Sequence, residues 1–168
     1  GSIGAERVKR AAPDGYTVGV LNDSILTMIP NIRQVAYDPV KDFAPVGVVA
    51  AITWVMVVSN ELPAKSVPEF VALAKSRPGK IDYSSGGNGS PQHVAMEAFK
   101  AATGIYVVHI PYRGATQAAV DVMSNRVQAH FSAVSIVLPY IRDGRMRALG
   151  VPGAARSPQL PEVPTFAE

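Results

Sequence analysis

A run of small hydroxyl and glycine residues, Ser84-Ser85-Gly86-Gly87-Asn88-Gly89-Ser90, separates an apolar stretch ending at Tyr83 from a helical pattern opening at Pro91-Gln92-His93. Such a run forces a tight turn from strand to helix. Ser90 is suited to cap that helix and Pro91 to begin it, because the first helical position needs no amide hydrogen. The other first-turn amides have no intrahelical acceptor and point out of the chain. The glycines let backbone approach a bound group closely, and the helix dipole favours a carboxylate or phosphate there. Two readings stay open at this point: a connector chosen only for its turn geometry, or the floor of an anion site. The stretch holds no nucleophile paired with a base and no metal cluster, so binding rather than turnover is the chemistry expected of it.

The surrounding composition is that of a soluble globular chain. Its 168 residues, 48% hydrophobic and 17% charged, suffice for one sizeable core or two small lobes. The formal net charge of +3 mildly favours anionic ligands, yet no basic run is longer than Lys9-Arg10, which argues against nucleic acid. With no cysteine, disulfides, thiolate catalysis and cysteine-ligated zinc are excluded. No apolar run approaches the ~18 residues of a membrane span. Residues 1–168 also show no basic-then-apolar leader, so an export signal would lie outside them.

Short apolar runs alternate with amphipathic stretches, which predicts an α/β fold with a largely parallel sheet. Strands are expected at residues 16–21, 46–59, 81–84, 107–110, 127–132 and 146–151. Ser66 opens the clearest helix, with Glu69 completing a capping box and Pro78-Gly79 stopping it. Further helices are expected at 91–103, from 115 to about 124, and at 134–142, where Pro139 should kink or shorten the last. The run 46–59 is long for one strand and changes composition at Ala50-Ala51-Ile52-Thr53, as a crossing between two lobes would. Residues 146–151 would make the return. This division assigns 51–150 to one lobe and 1–50 with 151–168 to another, which looks incomplete because a sheet of ~4 or more strands is usual.

Several segments carry a resemblance when taken together and in order: Ala12-Pro13-Asp14-Gly15-Tyr16-Thr17, Tyr37-Asp38-Pro39-Val40-Lys41-Asp42-Phe43-Ala44-Pro45-Val46, Leu62-Pro63-Ala64-Lys65-Ser66-Val67, Arg77-Pro78-Gly79-Lys80, the Ser84 to His93 run, His109-Ile110-Pro111-Tyr112-Arg113-Gly114, and Arg156-Ser157-Pro158-Gln159-Leu160-Pro161-Glu162-Val163-Pro164-Thr165. The chain resembles the periplasmic receptors of tripartite tricarboxylate transporters, the Bug-type solute-binding proteins. The resemblance implies a Venus-flytrap fold of the periplasmic binding protein type II class. It also implies a receptor that passes a small mono- or dicarboxylate to a membrane permease, with no catalytic residue, metal or cofactor. That family has further segments before Gly1-Ser2-Ile3-Gly4 and after Glu168, so the chain corresponds to a middle piece, its second lobe nearly complete and its first partial. Exposed edges of a partial lobe would permit a homodimer.

The resemblance makes Ser85, Gly87, Asn88, Gly89, Ser90 and His93 candidate carboxylate ligands. His93, near a helix start where the dipole disfavours imidazolium, is expected to be neutral, either a donor or a local cap. His109 and His130 fall in strands and are expected to pack; three histidines without short spacing make a poor zinc site. Tyr112, Gly114 and Ala115 follow a strand's carboxyl end, where open α/β sheets bind ligands. Arg113 reads equally as a carboxylate clamp or a solvated charge, and the family's alternation of Lys and Arg there argues against an obligatory fork. Ser132 ends the next strand where the family often has Asp, which implies a ligand without an amine. Ser24 is expected to cap a first-lobe helix and touch ligand, although Asn22-Asp23 replaces the family's usual small residues. Trp54 is expected to pack rather than stack on a ligand. The rival functions are a phosphate-binding enzyme, disfavoured by the lack of a Gly-Lys-Ser/Thr or dinucleotide fingerprint, and a module that only oligomerises.

Overall fold

A computed structural model describes residues 1–168. The chain divides into two compact units, Gly1–Ala50 with Gly89–Pro91, and Ala51–Asn88 with Gln92–Glu168.

The smaller unit contains helix α1 (Ser2–Arg10), a π-helical stretch (Ser24–Met28) and the short α2 (Ile29–Ile32). Its core is Ala5, Ile25 and Tyr37, with Leu21, Ile29, Val35 and Phe43 packed around them. The Tyr37 hydroxyl donates to Ile25 O at 2.6 Å. Lys9 Nζ meets both Asp42 Oδ2 and Ala36 O at 2.8 Å. The strand expected at 16–21 does not form: the segment joins no ladder, and Tyr16, Val18 and Val20 are 93%, 69% and 80% exposed. Alternating apolar residues give a segment strand propensity, but a strand needs a neighbour to take its backbone groups. The run 46–59 is likewise shortened to Trp54–Val58, leaving Val46, Val48 and Val49 exposed.

The larger unit is built on a five-stranded sheet of β1 (Trp54–Val58), β2 (Asp82–Ser85), β3 (Val108–Pro111), β4 (Ala129–Ala133) and β5 (Arg147–Gly150), in the order β3-β2-β4-β1-β5. β2 runs parallel to β3 and β4, but β1 is antiparallel to both β4 and β5. The sheet is therefore mixed rather than largely parallel. β1 is buried on both faces, with Val55 to Val58 all inaccessible, and such an apolar run reads the same in either direction. Met56 and Val58 face one core with Phe70, Tyr83, Met96 and Phe131. Val55 and Val57 face the other, with Ala119, Val122, Val134 and Val137.

The helices of this unit are α3 (Val67–Ser76), α4 (Pro91–Thr103), α5 (Ala115–Met123) and α6 (Val134–Arg142), and they cover both faces. At the start of α3, Ser66 Oγ accepts from Glu69 N at 3.3 Å while Glu69 Oε2 accepts from Lys65 N at 2.8 Å. The capping box thus closes one residue earlier than its usual partner. Pro139 lies inside α6 without ending it. Residues 151–168, assigned on sequence to the first lobe, fall in this unit. Val151 N donates to Pro164 O and Phe166 N to Val151 O, and the Phe166 ring lies 5.5 Å from Phe99 and 5.9 Å from Phe131. A Cβ at Gly150 would approach that ring to 2.8 Å, so the tail's seat requires glycine there.

Candidate functional site

Because β2 is parallel to both β3 and β4, the carboxyl ends at Ser85, Pro111 and Ala133 share one edge of the sheet. The chain then enters α4, α5 and α6 from that edge, the usual position for ligands of an open α/β sheet. Antiparallel β1 brings Trp54 to the same edge, paired with Ala133. Gly114 caps α5 and Ala133 caps α6, and neither supplies a side-chain bond to the helix. Val134 N donates to Thr53 O at 2.9 Å. The later first-turn amides of both helices are left for water or an anion, and the dipoles favour the anion.

The loop after β2 is held by one hydroxyl. Ser85 Oγ accepts from Gly87 N at 3.0 Å, donates to Gly87 O at 3.1 Å, and lies 2.6 Å from His109 Nε2. Ser85 Oγ thus joins Gly87 to the His109 ring, and which partner donates in the 2.6 Å contact follows the ring's tautomer. Gly87 adopts φ +121°, and a Cβ there would sit 3.2 Å from Tyr112 O; only glycine meets both conditions without strain. The loop consequently lies against the turn after β3, with Tyr112 N donating to Ser85 O at 3.0 Å. His109 is stacked between Tyr83, at 4.8 Å and 20°, and His93, at 4.1 Å and 15°. Burial, helped by the neighbouring His93 and Lys100 and opposed by Glu97, lowers its pKa to about 4.

The sequence-predicted residues divide by what their side chains are doing. Ser85 and Gly87 are engaged in the loop's own ring of bonds, while Asn88 is exposed. Gly89 and Ser90 lead into α4, which starts at Pro91 as expected, and His93 joins the aromatic stack. Gly114 caps α5 and Ala115 begins it. Tyr112 has another partner: its hydroxyl donates to Asp121 Oδ2 at 2.7 Å, and burial together with that carboxylate pushes its pKa up to about 12. Arg113 is exposed. Ser24 belongs to the smaller unit and is not a cap. Asp23 is the cap, its carboxylate accepting from Ser24 N at 2.9 Å, and the buried Ser24 hydroxyl donates to Asn22 Oδ1 at 2.8 Å.

Ser132 lies on β4 with its hydroxyl buried and without a hydrogen-bond partner. His130, two residues earlier on the same face, is fully buried. Its Nδ1 lies 2.9 Å from Ser84 O and 3.1 Å from Ser84 Oγ; a carbonyl only accepts, so Nδ1 carries the proton. Nε2 has no partner, and burial lowers the pKa to about 4. Two residues of this edge take parts that the sequence did not give them: Gln92 was unassigned, and His109 was expected only to pack. Gln92 is buried in the first turn of α4 with Oε1 beside Gly86, and His109 controls Ser85. Neither has a local signal, since each contact joins separate elements.

Comparison with known proteins places this geometry in a family context. The family model described as the tripartite tricarboxylate transporter family receptor matches residues 1–168. Protein BugT of Bordetella pertussis is 34% identical over 173 aligned residues, covering 100% of this chain and 52% of BugT. A solved structure described as a periplasmic transporter superposes with a TM-score of 0.92 at 36% identity, over 99% of this chain and 56% of that one. R. palustris Rpa4515 with adipate gives a TM-score of 0.93 at 32% identity, again over 99% and 56%. The chain thus spans about half the length of the relatives it matches.

Proposed function

Since this chain belongs to the tripartite tricarboxylate transporter receptor family, we propose that it is an extracytoplasmic solute receptor that binds a small organic carboxylate for uptake through that transporter's membrane permease. The observation that carries the proposal is the pair of helix starts, α5 and α6, which meet one sheet edge without side-chain caps. Backbone amides there would replace the water around a carboxylate, and their fixed position would spare much of the ordering cost of binding. The glycine-rich loop supplies the adjoining wall, with Asn88 and His93 as its contacts.

Adipate, bound by the R. palustris relative, is the first ligand to test, and straight-chain dicarboxylates are the favoured class. Ser132 brings no negative charge to the edge, so an amine on the ligand gains no ionic partner from it. Calorimetric titration with adipate, glutarate, glutamate and inorganic phosphate tests the assignment. Saturable binding of a dicarboxylate, glutarate ahead of glutamate, is expected. Binding of phosphate alone would instead favour a phosphate-handling enzyme. The periplasm is the compartment implied by the family. Exposed Tyr16, Val18, Val20, Val46, Val48 and Val49 also offer a second copy an apolar surface; a concentration-independent monomer in size-exclusion chromatography would count against self-association.

A further inference from the structure

The geometry points to His109 as a positioning residue for the ligand loop, its ring N–H gripping Ser85 Oγ so that this one hydroxyl fixes both backbone groups of Gly87. The ligand-binding consequence rests on the receptor assignment above; the positioning itself does not. Three contacts meet at Ser85 Oγ, at 2.6 Å to His109 Nε2, 3.0 Å to Gly87 N and 3.1 Å to Gly87 O. A hydroxyl has one proton and two lone pairs, so each contact consumes a different capacity of the oxygen. Removing the ring N–H frees a lone pair and removes what holds the Ser85 hydroxyl directed at Gly87 O. Gly87 needs that constraint, because at φ +121° glycine has other conformations open to it at little cost.

The ring is itself immobilised from two elements. Tyr83 of β2 stacks on one side, and its hydroxyl donates to Glu97 Oε1 at 2.6 Å. His93 of α4 stacks on the other side. Glu97 and Lys100, also on α4, form an ion pair at 2.7 Å, with Lys100 lying 5.8 Å from the Tyr83 ring centre. These four residues hold the imidazole plane in which Nε2 meets Ser85. The low pKa of His109 keeps the ring neutral, so its hydrogen-bonding role toward Ser85 is unchanged across ordinary pH.

The test uses His109→Phe, which keeps an aromatic ring in the stack and removes the N–H, and His109→Gln, which restores an N–H without the ring. Ser85→Ala and the Ser85→Ala/His109→Phe double variant complete a cycle. Amide hydrogen exchange at Gly87 is read by NMR without ligand, adipate affinity by calorimetry, and folding by thermal melting. Loss of one such hydrogen bond should speed Gly87 exchange about tenfold in His109→Phe and weaken adipate by about 5- to 10-fold, with partial recovery of both in His109→Gln. The double variant should be no worse than Ser85→Ala alone. Folded His109→Phe with Gly87 exchange within twofold of wild type would overturn the positioning role, as would full additivity in the cycle. If His109→Phe does not fold, His109→Leu, which also removes the ring N–H, takes its place under the same criteria: Gly87 exchange about tenfold faster than wild type supports the role, and exchange within twofold of wild type overturns it. If Gly87 responds as expected but wild type ignores adipate, the positioning role stands and adipate is the wrong ligand.

Discussion

Burial of His130 makes the fold sensitive to acid by an amount that can be worked out. The folded protein holds this imidazole neutral, with its pKa lowered from 6.5 to about 4 by burial, while in the unfolded chain it protonates near its ordinary value. Between those values the unfolded state binds more protons, so stability rises with pH there. The contribution is fully present above about 6.5 and is lost as pH falls toward 4. At about 1.4 kcal/mol for each pH unit, that window corresponds to about 3 kcal/mol. The orphaned Nε2 explains the direction, since a proton there would have no acceptor. His130→Asn retains an N–H donor placed to reach Ser84 O and does not titrate. Urea unfolding of wild type and His130→Asn at pH 7, 6, 5 and 4 isolates the effect, because other titrating groups are common to both. Wild type should lose about 3 kcal/mol more than the variant from pH 7 to pH 4. Parallel pH profiles for the two proteins would refute the assignment of a neutral buried imidazole.

Further outcomes follow from single contacts. Gly87→Ala forces an L side chain into φ +121° and against Tyr112 O, and should cost about 1–3 kcal/mol in urea unfolding. Ser132→Ala removes a hydroxyl that has no partner, so stability should stay within about 1 kcal/mol of wild type or rise; a large loss would reveal a bond to that oxygen. Tyr112→Phe should lose about 1 kcal/mol through the bond to Asp121 while leaving adipate affinity within twofold by calorimetry. Phe166→Ala strips a ring packed on Phe99 and Phe131, and should cost about 3 kcal/mol and speed amide exchange in the tail after Val151.

Features set within a few residues were legible in the sequence. The Ser66 cap and the Pro91 start are local chemistry, and both helices begin where it places them. The helix expected from 115 to about 124 forms as Ala115–Met123. Strand direction was not, because the burial pattern of Val55 to Val58 carries no sign. Residues 16–21 show the limit from the other side: alternation is present, but pairing depends on a neighbour that the alternation does not name. Ser24 illustrates competition between adjacent polar residues, since Asp23 took the cap and Asn22 took the hydroxyl. At the site, the glycine turn and the Gly114-Ala115 helix start were visible as types of residue. The commitment of Ser85 to His109, and of Tyr112 to Asp121, arises from contacts across elements and could not be read from spacing.

Backbone NMR during titration with adipate tests most directly whether the sheet edge is a carboxylate site. The account predicts saturable shifts at the amides of Asn88, Ala115, Thr116 and Gln117, with the tail around Phe166 unmoved. Saturable binding that shifts the tail and leaves the starts of α5 and α6 unchanged would contradict it.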